Sequence, residues 1–145
     1  MPQIFELIQE DHDLIRGLLN ELESNPETRD VRCITLLREL PGHMYAEEAT
    51  LYARLRSLEP GAIEQLLAEH TDIRETLARF ERIPLRDDAW VPGLAGLRER
   101  IEAHFRAEEE EVFAWAKHRL SQGELFGLGE MFEQEKQRAA QFATA

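Results

Sequence analysis

Two short motifs constrain this chain more than any other feature: His43-Met44-Tyr45-Ala46-Glu47 and His104-Phe105-Arg106-Ala107-Glu108. Four residues span a little more than one helical turn, so each His-x-x-x-Glu sets an imidazole and a carboxylate on one face, about 6 Å apart. Apolar residues at steps of three and four continue those faces, Leu36, Leu40, Leu51, Leu55 and Leu58 around the first motif and Leu94, Leu97, Ile101, Val112 and Trp115 around the second. The polar pairs therefore stand in core positions. Burying them is costly unless other groups in the chain satisfy them.

Those groups are found in two further helical seams. Phe5, Ile8, His12, Ile15, Leu19 and Leu22 step by 3, 4, 3, 4, 3, and Ile63, Leu66, His70, Ile73, Leu77 and Phe80 repeat the same steps. Each seam gives one core slot to a histidine. Ser24-Asn25-Pro26-Glu27 and Glu59-Pro60-Gly61 break the pattern after the first and second helices, and residues 83–92 form a loop before the fourth. The helices are expected over about 4–23, 31–57, 60–82 and from the loop to about Leu120, with a kink at Pro41-Gly42 just ahead of His43. Ser121-Gln122-Gly123-Glu124 reads as a capping box opening a short fifth helix through Phe126, Met131 and Phe132, and residues 139–145 are expected to fray.

The halves repeat. Residues 10–23 align with 68–81 at an offset of 58, matching His12 with His70 and Arg16 with Arg74, and His43 to Glu48 align with His104 to Glu109 at an offset of 61. Two related helical hairpins close into an all-α, up-down-up-down four-helix bundle with a short C-terminal fifth helix. Counting at 1.5 Å per residue brings His12, His43, His70 and His104 within about two turns of one level. Four imidazoles with Glu47 and Glu108 in a dry interior suit iron, manganese or zinc better than calcium or magnesium. Six donors can saturate one ion, but the duplication favours two, each with two histidines and both glutamates bridging.

The 145 residues predict one metal-binding domain over 1–145. With 29 acidic against 17 basic residues the formal charge is −12, which opposes nucleic acid and anionic membranes as partners. Cys33 is the only cysteine, so no internal disulfide or cysteine-based cluster is expected. No signal peptide or transmembrane run is legible, and a reducing cytoplasm is the expected location. Nothing resembles a nucleophile triad, phosphate loop or nucleotide motif.

The pattern resembles the hemerythrin-like family, the His-His-Glu cation-binding domain, over about 4–120. Its His in helix one, His-x-x-x-Glu in helix two, His in helix three and His-x-x-x-Glu in helix four fall here on His12, His43, Glu47, His70, His104 and Glu108. The resemblance implies two non-haem iron ions bridged by carboxylates and an oxo or hydroxo group. Oxygen-carrying members place a further histidine one turn beyond the helix-three ligand; Arg74 stands there in this chain, which resembles the four-His, two-Glu subgroup. The implied function is binding or sensing of a small diatomic ligand such as dioxygen or nitric oxide. The alternatives are a redox enzyme or iron-centre repair protein acting on nitric oxide or peroxide damage, and a purely structural metal site.

For neighbouring residues the expectations are plainer. Glu48 and Glu109 are expected to be solvated or to back a ligand, and Glu109 to Glu111 to form a solvated face. His118 lies about 21 Å along the helix from His104 and is expected at the surface. Arg16 and Arg74 are expected to lay their stems over the seam with their heads in water. Phe5, Phe80, Phe113 and Trp115 are expected to pack, Tyr45 and Tyr52 to pack with a hydrogen bond to a ligand as the alternative, and Ile8, Ile15, Leu66, Ile73 and Ile101 to wall the site.

Overall fold

The fold is a ring of four long helices with a fifth laid across one side. The structure, a computed structural model, describes residues 2–144, with side chains through Gln141. Helix α1 is Ile4–Ser24. A 3-10 turn, Pro26–Thr28, leads into α2, which comprises Arg29–Glu47, a π-helical stretch Glu48–Tyr52 and Ala53–Leu55. Helix α3 is Pro60–Glu81, with Pro60 at its first position, where its missing N–H would have had no partner. Helix α4 comprises Trp90–Ala107, a second π-helical stretch Glu108–Val112 and Phe113–Ala116. Helix α5 is Gln122–Thr144. Among the described residues there is no strand, and no helix is long and apolar enough to cross a membrane.

The four long helices pack in the order α1, α2, α3, α4 and back to α1, while α5 packs on α1 and α2. The apolar seams divide the interior into two clusters. Ile4, Phe5, Ile8, Leu51, Leu55, Ile63, Leu66, Val112 and Ala116 fill one end together with Leu125, Leu128 and Phe132 of α5. Ile15, Leu19, Leu22, Leu36, Leu40, Ile73, Leu77, Trp90, Leu94, Leu97 and Ile101 fill the other. Full burial of such side chains contributes about 1.5–3 kcal/mol each. The polar layer lies between the clusters, at the waist.

Three local expectations change. Helix α2 continues unbroken through Pro41, and the departure from α geometry comes after Glu47, in the π turn. Helix α5 runs past Phe132 to Thr144, and it packs through Leu125, Leu128 and Phe132 while Phe126 and Met131 stay exposed. Of the residues expected to fray, Ala145 and the side chains of 142–144 lie outside the described residues. Ser121 does cap α5, its Oγ accepting from the Glu124 N–H at 3.1 Å, but the Glu124 carboxylate pairs with Arg54 rather than closing the box.

Both π turns have a visible cause. The buried stripe passes through His43, Glu47, Leu51 and Leu55 in α2 and through His104, Glu108, Val112 and Ala116 in α4, three consecutive steps of four in each. Twelve residues of ideal α-helix would turn such a stripe about 120° away from the core. One extra residue in a π turn takes back about 100°. The widened turn therefore keeps each His–Glu pair and the apolar residues after it, Leu51 and Leu55 in α2 and Val112 and Ala116 in α4, facing inward.

Candidate metal centre

The structure brings all six expected residues to the waist. His12, His43, Glu47, His70, His104 and Glu108 are buried, none more than 2% exposed. Their donor atoms fall into two groups, each within 4.8 Å: His12, His43, Glu47 and Glu108, and Glu47, His70 and His104. Glu47 Oε1 lies 3.2 Å from both His43 Nε2 and His70 Nε2, and Glu108 Oε1 lies 3.3 Å from both His12 Nε2 and His104 Nε2. Each glutamate thus stands between histidines of two different helices.

Behind the imidazoles runs a closed ring of carboxylates. Asp11 of α1 faces His43 of α2 at 2.8 Å, Glu48 of α2 faces His70 of α3 at 2.6 Å, Glu69 of α3 faces His104 of α4 at 2.6 Å, and Glu109 of α4 faces His12 of α1 at 2.6 Å, always at Nδ1. An ionised carboxylate only accepts, so Nδ1 carries the proton and donates it outward. In the neutral ring, Nε2 is then a bare lone pair aimed at the centre.

That arrangement leaves the interior short of a positive charge. His12 Nε2, His43 Nε2, Glu47 Oε2 and Glu108 Oε1 have no hydrogen-bond partner, and His70 Nε2 stands 3.0 Å from His104 Nε2. Two lone pairs at that distance repel unless a proton or cation lies between them. Burial and the adjacent Glu108 push the Glu47 carboxyl up to about 8. Burial opposes charge on His104, but Glu108 and Glu69 outweigh it and raise the imidazole to about 10. Protons are drawn into the centre where a metal would otherwise neutralise it, and an imidazole–carboxylate donor set fits a transition metal or zinc.

The carboxylate ring is itself held from outside. Burial works against charge on Asp11, Glu48, Glu69 and Glu109, yet their histidine partners and the groups behind them keep all four below the usual carboxylate range. Arg16 bonds Glu109 at 2.9 Å and Glu102 at 2.9 Å, Arg74 bonds Glu48 at 2.7 Å, Gln65 donates to Glu69 at 3.0 Å, and Lys136 of α5 bonds Asp11 at 2.5 Å. This corrects the expectation that the two arginine heads sit in water: both grip a carboxylate that faces a buried histidine, Glu109 on His12 and Glu48 on His70. It also removes Glu109 from the solvated run, whereas Glu110, Glu111 and His118 are exposed as expected.

Tyr52 does more than pack. Its hydroxyl donates to Glu108 Oε2 at 2.7 Å and lies 3.2 Å from His70 Nε2 and 3.4 Å from His104 Nε2. It follows Glu47 by five residues, the repeat of the π turn that separates them. The matching position in α4 is Phe113, which packs on Phe5 with ring centres 4.7 Å apart. Phe105, next to His104, stacks on His12 at 3.7 Å. Ile8, Ile15, Leu66, Ile73 and Ile101 are buried, as a dry wall requires.

The family model for the hemerythrin HHE cation binding domain matches residues 3–116. The chain belongs to the hemerythrin HHE family. Among relatives of this HHE domain, a protein named DNA nickase from Nostoc sp. is 26% identical over 98% of the chain and 38% of its own length. An uncharacterized hemerythrin-like protein of Schizosaccharomyces pombe is 25% identical over 94% of the chain and 70% of its own length. The chain therefore spans little more than a third of the first relative. In fold it is similar to the crystal structure of a hemerythrin HHE cation binding domain-containing protein from Mycobacterium kansasii, with TM-score 0.89 and 24% identity over 99% of this chain and 91% of that one.

Sequence reasoning named the six residues that meet at the waist and allowed Glu48 and Glu109 a place behind them, but it passed over Asp11 and Glu69 and the closed ring the four make. A signal was present. Asp11, Glu48, Glu69 and Glu109 each adjoin a donor in the chain, and each recurs under the internal repeat.

Proposed function

We propose that His12, His43, Glu47, His70, His104 and Glu108 ligate two non-haem iron ions in a single domain, and that the centre binds or senses a small diatomic ligand such as dioxygen or nitric oxide. One observation carries the reading: four histidines whose Nδ1 atoms face carboxylates turn four Nε2 lone pairs onto one buried point with two glutamates. Glu47 and Glu108 would be shared between the two ions, a reading supported by each lying between histidines of both groups. Manganese or zinc would satisfy the same donors, so metal analysis of the protein as isolated is the first test.

When bound, a pair of irons supplies reversible electron exchange with a small ligand. The chain does the rest. The isoleucine and leucine wall keeps water out and admits neutral gases more readily than ions. The carboxylate ring fixes each imidazole and makes it a stronger donor. Tyr52 favours a second reading, a redox enzyme acting on peroxide or nitric oxide, because its O–H stands at the donor cluster and can hand a proton to a ligand there. Reducing the iron-loaded protein without oxygen and then admitting dioxygen separates the two. A spectral change reversed by removing the gas supports binding; irreversible oxidation with turnover supports the enzyme. Absence of iron in the isolated protein would overturn both.

The nickase activity named for the Nostoc protein is not carried over. This chain spans 38% of that protein, and its formal charge of −12 opposes a DNA backbone.

A further inference from the structure

The ring behind the histidines obeys the internal repeat except at one point. Asp11 matches Glu69, Glu48 matches Glu109, and Arg16 matches Arg74. The two arginines do the same work, on Glu109 and Glu48 respectively. The other pair diverges. Glu69 takes the neutral amide of Gln65, whereas Asp11 takes the ammonium of Lys136. Lys136 belongs to α5, which follows both repeats and supplies none of the six donors.

Three turns of α5 converge behind His43. A Cβ on Gly129 would lie 3.0 Å from the Pro2 carbonyl oxygen and 3.2 Å from the Ile4 nitrogen, so this glycine lets the helix lie directly on the N-terminal backbone. Phe132 meets the His43 ring edge-on, centres 6.0 Å apart at 77°. Lys136 passes 5.9 Å over the Phe132 ring and ends on Asp11 Oδ1, while Asp11 Oδ2 accepts from His43 Nδ1. Asp11 is 8% exposed. A carboxylate so poor in water depends on its two protein partners; without the ammonium it turns outward, and the His43 ring is free to swing.

Resting on the metal reading above, we infer that Lys136 is a positioning residue. Through Asp11 it holds His43 with Nε2 inward, so that α5 controls retention of the ion in the His12, His43 group and leaves the His70, His104 group alone. The fifth helix is thereby part of the metal site.

The test loads full-length wild type, Lys136→Met and Lys136→Arg with cobalt(II) and follows release into excess chelator. Wild type is expected to release two ions in two phases. Lys136→Met should accelerate one phase about tenfold, at the low end of what loss of a ligand's support costs, and leave the other within about twofold. Lys136→Arg should restore it. Proton NMR of the cobalt protein supplies a second readout, in which one shifted imidazole N–H of the four should move in Lys136→Met. If Lys136→Met does not fold, Lys136→Gln is expected to show the same selective release. Equal acceleration of both phases, or no change in either, overturns the inference, as does a wild type that holds one cobalt. Failure of wild type to bind any cobalt is different: it overturns the metal reading itself.

Discussion

Glu109 Oε2 lies 2.6 Å from His12 Nδ1 and joins α4 to α1. That single bond closes the ring of carboxylates around the bundle. The same oxygen accepts from Arg16 at 2.9 Å, so the charge of Glu109 is retained at a partly buried position. Replacing Glu109 with Gln keeps the shape and removes the charge. Iron or cobalt affinity is expected to fall about tenfold, while Glu110→Gln, at an exposed position, leaves it unchanged. Competition titration against a chelator of known affinity measures both, and equal effects would show that the ring does not act on the metal.

His43 and His104 face the centre, and His118 faces solvent. His43→Ala and His104→Ala are each expected to lower the metal bound per chain well below that of the unchanged protein, whereas His118→Ala keeps it. Elemental analysis after gel filtration decides this.

Acid and base act on different groups. The four ring carboxylates are held below their ordinary values, so the stability they contribute is present above about pH 4 and lost as pH falls through their lowered values. Glu47 and His104 behave oppositely. Both are raised in the folded protein, to about 8 and about 10, so the metal-free chain gains from their protons at low pH and loses that gain as pH rises through those values. A bound cation replaces those protons. The thermal midpoint of the metal-free protein is therefore expected to drop between about pH 6 and pH 9, with the metal-loaded protein nearly flat, so that the gap widens with pH. Below about pH 5–6 protons compete with the metal for its donors, the metal is released and the gap closes. Calorimetry of both forms across this range checks the sign, and a gap that narrows toward pH 9 would contradict it.

Periodicity made the bundle legible because each buried His or Glu replaces a core residue without disturbing the seam. His12 sits between Ile8 and Ile15 at ordinary helical steps, and the duplicated His-x-x-x-Glu fixes which faces meet. The ring was harder to read because its bonds run between helices: Asp11 adjoins His12 in the chain yet serves His43, and Glu48 adjoins Glu47 yet serves His70. Sequence neighbours on a helix are about 100° apart, so the residue beside a donor points at the next helix rather than at its own ligand. Lys136 lies outside the repeat altogether, and no spacing within α5 ties it to Asp11. For Tyr52 packing is expected ahead of a hydrogen bond to a ligand because its offset of five from Glu47 is not a same-face spacing in an α-helix; the π turn makes it one.

The π turns themselves make a prediction that runs against ordinary helix logic. Deleting one residue from a buried α-helix rotates everything beyond it by about 100° and takes the core face out of the core. In the stretch Glu48–Tyr52 the opposite holds, because the turn already contains one residue too many for α geometry. Removing exposed Ala49 changes the steps through His43, Glu47, Leu51 and Leu55 from four, four, four to four, three, four, an ordinary helical seam. The shortened chain is expected to keep its helix content and a cooperative thermal transition. Deleting Arg38, exposed on a regular turn of the same helix, rotates Leu36 against Leu40 and the ligand motif. Several buried side chains at about 1.5–3 kcal/mol each are then lost, which approaches the whole stability of a typical domain, about 5–15 kcal/mol. Circular dichroism melts of the two deletions decide the matter: tolerance at Ala49 with collapse at Arg38 supports the register argument, and equal collapse refutes it.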